Sequence, residues 1–274
     1  MSTRIAFIGA GNMGRAILGG LIRGGVAADD LRAADADSAA LGRITEEFGV
    51  FATVDNGQAA AGAAVLVLAV KPQQLKRVAL DLAAGLGDTR PLVLSIAAGI
   101  GTASLAEWFG PGTPVVRAMP NTPALIGRGT SALYATPDTD AAGRAVAERI
   151  MRAVGSVHWL DEESLMDAVT ALSGSGPAYV FRVIECMAAA GESLGLAPEL
   201  ARRLALETVA GAAELAHGSP HDPATLRAQV TSKGGTTEQA LRVLDEEGLE
   251  ALFQRALTAA RDRSRSLAAE FGRA

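Results

Sequence analysis

Two glycine-bearing stretches hold the residues whose types and spacing suggest chemistry. Near the start, Ile5-Ala6-Phe7-Ile8 runs into Gly9-Ala10-Gly11-Asn12-Met13-Gly14. Glycine at the first position permits a tight turn. At the third it lets a pyrophosphate lie against bare backbone, and at the sixth it lets the next helix pack closely on the strand. The free amides of that helix start then face phosphate oxygens. The spacing predicts a dinucleotide-binding turn, and its place at the head of a strand–helix–strand pattern weighs against a glycine turn without a ligand. Far downstream, Ser232-Lys233-Gly234-Gly235-Thr236-Thr237-Glu238 combines hydroxyls with flexible glycines before a helix. Such a segment either caps the helix or gathers amides around a carboxylate. From the residues alone, capping is the favoured reading.

Further candidates follow the predicted strands. Asp35, after Leu31-Arg32-Ala33-Ala34, stands where a carboxylate accepts hydrogen bonds from ribose hydroxyls and repels a 2′-phosphate. That tips the reading towards NAD(H). The alternative makes Asp35 and Asp37 loop or capping residues. Val70-Lys71-Pro72 ends the most apolar run, which places Lys71 to meet a cofactor or an anionic substrate, unless it is a plain surface lysine. Ala97-Ala98-Gly99 is small enough to leave room for a flat nicotinamide ring. Met119-Pro120-Asn121-Thr122-Pro123 is stiffened by two prolines, and Asn121 offers polar contacts.

The elements that must position these residues change character along the chain. Apolar runs at Ile5–Ile8, Val65–Val70, Leu92–Ile96, Val115–Met119, Ser131–Tyr134 and Ser156–Leu160 read as strands. Helical stretches such as Met13–Ile22 and Leu75–Leu86 separate them, which predicts an α/β fold with a parallel sheet covered on both faces. Asp161, Glu162 and Glu163 read as a helix start. Beyond them helical periodicity dominates, with one stripe formed by Leu249, Leu252, Phe253, Ala256, Leu257 and Ala260. The expected division is a dinucleotide-binding domain over 1–161 and a helical domain over 162–274. Ser173-Gly174-Ser175-Gly176-Pro177 should kink or break the first helix of the second half, either as a simple joint or as an approach to a ligand.

Composition narrows the class. The 274 residues are 49% hydrophobic and 20% charged, as in a soluble globular protein. A net charge of −5 does not favour nucleic acid. Arg261, Arg263 and Arg265 read as a solvated helix face. Cys186 is the only cysteine, so an internal disulfide or a cysteine metal cluster is excluded. Its apolar neighbours suggest a buried small residue. His158, His217 and His221 pair with no obvious acid or nucleophile. No signal peptide or membrane span is expected, and a cytoplasmic enzyme without a metal fits these observations.

Five motifs in order, Gly9–Gly14, Val70–Pro72, Met119–Pro123, Ser173–Tyr179 and Thr231–Thr237, resemble pyrroline-5-carboxylate reductase over nearly the whole chain. The last two are the more specific. The resemblance implies a Rossmann domain followed by a helical domain that forms a homodimer, often assembled into a larger homo-oligomer. It implies reduction of (S)-1-pyrroline-5-carboxylate to L-proline by NADPH or NADH. Cofactor contacts are implied for Gly9, Gly11, Asn12, Met13 and Gly14, with Ile8 and Ala10 in the same turn, and for Asn56; Asp35 is a cofactor candidate from its place after the second strand. They are also implied for Ala69, Val70, Lys71 and Pro72 and for Ala97, Ala98 and Gly99, while Asn121 is a candidate from its polar side chain in the stiffened loop. Ser232, Gly235, Thr236 and Thr237 would hold the substrate, with Thr237 hydrogen-bonded to the imine. Two departures stand out. Ala34-Asp35-Ala36-Asp37 replaces a segment that suits a 2′-phosphate in many members, and Lys233 replaces a common proline.

Overall fold

A computed structural model describes residues 3–271; the outer ends of the expected domains, 1–2 and 272–274, lie outside the described residues. The described chain divides into two compact units. One takes in everything up to Ser175 together with the stretch from Ala260 on, and the other is Gly176–Ala259. The division falls later than residue 161 because Glu163 and its neighbours are bonded to the sheet. The last stretch joins the same unit: the Ser264 hydroxyl donates to Asp167 at 2.7 Å.

The first unit is built on β1 (Ile5–Ile8), β2 (Leu31–Ala34), β3 (Phe51–Thr53), β4 (Val65–Leu68), β5 (Leu92–Ser95), β6 (Val115–Met119), β7 (Gly129–Ala135) and β8 (Gly155–Trp159). They form one sheet in the order β3-β2-β1-β4-β5-β6-β7-β8. Every pairing is parallel except β6 with β7. The chain turns back between β1 and β4, and ligands of open α/β sheets bind at such a switch point, beyond the carboxyl ends of the strands.

Strand alternation explains the two layers. Ile5 and Phe7 of β1, with Val65 and Val67 of β4, join one buried cluster with Ile17, Leu18 and Leu21 of α1 (Asn12–Arg23). Ala6, Ile8, Leu66 and Leu68 point the other way, onto Leu75 and Leu82 of α4 (Pro72–Leu86) and Leu105 of α5 (Thr102–Phe109). Helices α2 (Ser38–Phe48), α3 (Asn56–Ala60) and α6 (Ala141–Arg152) complete the layers. Each large side chain buried this way contributes about 1.5–3 kcal/mol.

Several expectations shift locally. The run expected to continue to Val70 ends as a strand at Leu68, because Lys71 already caps α4 and Pro72 opens it, where a missing amide proton costs nothing. The edge strand β3 was not anticipated. In place of a helix starting at Asp161, there is a 3-10 turn over Glu163–Leu165 and then the short α7 (Met166–Val169). The anticipated break is a π-helical turn over Thr170–Gly174.

The second unit holds α8 (Gly176–Ser193), α9 (Pro198–Gly218), α10 (Pro223–Gln229), α11 (Thr236–Glu246) and the first part of α12 (Leu249–Phe271). Gly191 brings α8 close to Ala201 of α9. Its only buried residues are three alanines, Ala188, Ala201 and Ala205. Phe181, Leu204, Leu215, Leu252 and Phe253 are exposed. Cys186, expected to be buried, is exposed as well, on the same side of α8 as the exposed Val183 and Met187 rather than the buried Ala188. Among the described residues no helix is long and apolar enough to cross a membrane.

Candidate functional site

Each glycine of the first motif answers a different constraint. Gly9 sits at φ +110°, and a Cβ there would lie 2.5 Å from the Ala69 carbonyl oxygen. Its amide donates to the Ala34 carbonyl at 2.7 Å. A Cβ on Gly14 would run into the Gly9 carbonyl. At Gly11, by contrast, a Cβ would meet no protein atom within 4 Å. The packing of the chain does not require glycine at 11, whereas a pyrophosphate lying on the backbone does. No side chain caps α1 at Gly11, so its first amides remain available to an anion. These features fit a dinucleotide. Asn12 is exposed beside them, and Met13 packs against the core.

Asp35 does more than its sequence position suggests. One carboxylate oxygen accepts from the Ala10 amide at 2.6 Å and the other from the Asp37 amide at 2.9 Å. It thereby ties the glycine turn to the loop after β2. A carboxylate offers about four acceptor positions, so a ribose hydroxyl can still be accommodated. Asp37 is a cap: its side chain accepts from Ala39 at the start of α2. Arg32 is directed at the Gln58 carbonyl and lies over the Phe51 ring. Asn56 opens α3 beside its cap, Asp55.

The remaining predicted residues of this unit sit at the ends of parallel strands. The Ala69 amide donates to the Ile8 carbonyl at 2.8 Å, which holds the start of Ala69-Val70-Lys71-Pro72 beside the glycine turn. Lys71 is exposed and makes no ion pair among the described residues. Ala97, Ala98 and Gly99 follow β5. Gly99 is buried at φ +75°, with Leu267 and Ala268 of α12 behind it. Asn121 is largely engaged within the chain: its oxygen accepts from the Thr130 amide at 3.0 Å and its nitrogen donates to the Ser173 carbonyl at 3.3 Å. It pins the loop after β6 to the π-helical turn, with one amide proton and one lone pair left over.

A cluster next to these loops was not found from the sequence. Arg117 of β6 is nearly buried and pairs with Glu163 at 3.0 Å. The same Glu163 carboxylate accepts from the Thr102 amide at 2.8 Å and from the Thr102 hydroxyl at 2.5 Å. Read alone, Glu163 only suggested a helix start. The available signal was Arg117 itself, since a cation inside Val115-Val116-Arg117-Ala118-Met119 requires a partner when the strand is buried.

The second unit carries the hydroxyl loop. Gly234, at φ +75°, donates its amide to Glu238 at 2.8 Å, and the Gly235 amide donates to the Ser232 carbonyl at 3.0 Å. Both glycine amides expected to converge on a ligand are therefore spent inside the loop. What remains is the start of α11, where Gly235 has no side-chain cap. The hydroxyls of Ser232, Thr236 and Thr237 have no hydrogen-bond partner among the described residues. The arrangement offers hydroxyls and a helix N-terminus to a small anion.

Groups with displaced ionisation lie on other elements. The Trp159 indole, and then Arg152, hold the Glu148 carboxyl of α6 below its usual range. Thr225 does the same for Asp222 at the start of α10. Among the described residues no group of His, Cys, Asp or Glu is suited to a metal ion.

The chain matches known proteins along its length. Residues 163–267 match the family described as "Pyrroline-5-carboxylate reductase dimerisation", and residues 4–99 match "NADP oxidoreductase coenzyme F420-dependent". Pyrroline-5-carboxylate reductase of Pseudomonas aeruginosa is 50% identical over 99% of this chain and 100% of its own. A pyrroline-5-carboxylate reductase structure from Coxiella burnetii superposes with a TM-score of 0.93 at 43% identity, covering 97% of this chain and 99% of that one. The Plasmodium falciparum pyrroline carboxylate reductase structure, with NADP bound, gives 0.85 at 27% identity, covering 97% and 98%.

Proposed function

Because this chain belongs to the pyrroline-5-carboxylate reductase family, we propose that it reduces (S)-1-pyrroline-5-carboxylate to L-proline with NADH or NADPH, the last step of proline biosynthesis. The observation that carries the reading is the set of unpartnered hydroxyls at the uncapped start of α11. A cyclic imine bearing one carboxylate is a ligand of matching size and charge.

Bound NAD(P)H supplies the hydride. Gly9, Gly11 and Gly14, with Ile8, Ala10, Asn12 and Met13, hold its pyrophosphate half. Asp35 and Asn56 serve the adenosine side. Ala69, Val70, Lys71, Pro72, Ala97, Ala98, Gly99 and Asn121 line the ribose and ring. The Ser232 and Thr236 hydroxyls hold the substrate carboxylate, with Gly235 as the side-chain-free entry to α11 and the helix dipole adding to the attraction. Reduction places a hydride on the imine carbon; the π pair moves to nitrogen, which takes up a proton. The Thr237 hydroxyl orients that nitrogen through a hydrogen bond. An aliphatic hydroxyl is too weak an acid to release its proton outright, so the proton comes from water or is already on the substrate. Holding both reactants in near-attack geometry removes much of the entropic barrier.

The exposed apolar side chains of the second unit support a homodimer formed through that unit; assembly into a larger homo-oligomer and a cytoplasmic location are proposed from the family alone. We retain the functional division into a dinucleotide-binding half and a helical half that carries the substrate loop. Steady-state rates on pyrroline-5-carboxylate with NADH and with NADPH test the proposal. Thr237→Ala is expected to lower turnover about a hundredfold while cofactor affinity stays unchanged. A variant as active as the wild type would remove Thr237 from its role, and an inactive wild type would remove the activity.

A further inference from the structure

Helix α5 begins without a local cap. Its N-cap residue is Gly101, which has no side chain to offer. The cap comes instead from Glu163, 61 residues later in the chain, which takes both the amide and the hydroxyl of Thr102. Glu163 is in turn held by Arg117, whose side chain is 8% exposed. The segment fixed in this way, Ala97-Ala98-Gly99-Ile100-Gly101, leaves the carboxyl end of β5, where the reading above places the nicotinamide ring. Leu267 and Ala268 close on Gly99 from behind. The far end of the loop is thus pinned by one carboxylate, whose hydrogen bonds go to Thr102 and Arg117, neither of them assigned to the cofactor.

We infer that Glu163 is a positioning residue for the nicotinamide half of the cofactor. It fixes the start of α5 and, through it, the loop that lines the ring. Arg117 fixes Glu163, so the buried cation in β6 serves the loop one strand away. The inference rests on the cofactor reading above, and the test separates the two. NADH and ADP-ribose share the adenosine and pyrophosphate, and only NADH carries the ring.

The full-length protein is titrated with each, as wild type, Glu163→Ala, Glu163→Gln and Thr102→Val. Glu163→Ala should weaken NADH about tenfold, as loss of a helix cap would, and leave ADP-ribose within about twofold. Glu163→Gln keeps an acceptor for the Thr102 amide and should restore NADH affinity. Thr102→Val removes one bond without stranding Arg117, so it folds if Glu163→Ala does not, and should shift NADH in the same direction by less. Backbone amide exchange at Ile100–Thr102 in the ligand-free protein should speed up in Glu163→Ala and recover in Glu163→Gln. Equal weakening of both ligands, or of neither, would overturn the positioning role. A wild type that bound neither ligand would instead defeat the cofactor reading.

Discussion

The two units solve the problem of burying apolar side chains in opposite ways. In the first, every central strand is covered on both faces, and Ile8, Leu31, Leu66 and Leu94 are fully buried. In the second, long helices leave apolar side chains such as Phe181, Leu204 and Phe253 exposed and hide three alanines. Alanine suits a helix but buries little surface, so helix–helix packing within one chain contributes little there. The contrast teaches that one unit is complete in a single chain and the other is shaped for a second surface. The match to a dimerisation family over residues 163–267 is in keeping with this.

The sharpest way to break that comparison is a charge on the uncovered face. Phe181→Asp should abolish association, measured by sedimentation, and remove the dependence of Tm on protein concentration. NADH binding to the first unit should persist. A variant that still associates like the wild type would mean that α8 does not form the contact. The next largest effect separates two glycines of the first unit. Gly9→Ala should lower Tm, because a Cβ meets the Ala69 carbonyl and φ is +110°. Gly11→Ala should leave Tm unchanged and weaken NADH. The reverse pattern would show that Gly11 serves the fold rather than the ligand.

The smallest effect concerns Glu148, half-buried on α6 and hydrogen-bonded by Trp159 at 2.8 Å. Its carboxyl is lowered by that bond and by Arg152. Its contribution to stability is therefore present above the unfolded carboxylate range and lost as pH falls through the lower folded value. The Trp159 indole proton resonance should hold its position through the ordinary carboxylate range and shift only below it. In Glu148→Gln that titration should vanish. A shift at the ordinary value would show that the bond is not made in solution.

What could be read in advance follows the same divide. Runs such as Ile5–Ile8 and the one that begins at Val65 declared their strands because fully buried parallel strands must be apolar throughout. β3 did not, since Phe51 is exposed on an edge and the strand is only three residues long. The glycine turn was legible from its spacing, although the carbonyl that Gly9 must avoid, that of Ala69, lies on a distant segment. The loop at Ser232–Thr237 was legible as hydroxyls before a helix, but not the use of Gly234 by Glu238. Glu163 and Cys186 were misread for one reason: both depend on what lies across space. Glu163 has its partners 46 and 61 residues away, and Cys186 lies on a face that its own chain leaves uncovered.

The stretch from Ala260 on is translated after the whole helical unit, yet it packs with the first. Ser264 closes on Asp167, and Phe271 joins the layer beneath β4 and β5. A ribosome therefore releases the sheet early but cannot complete its surroundings until the final turns of α12 emerge. A chain terminated before Ala260 would lack the wall behind Gly99, even with every strand in place.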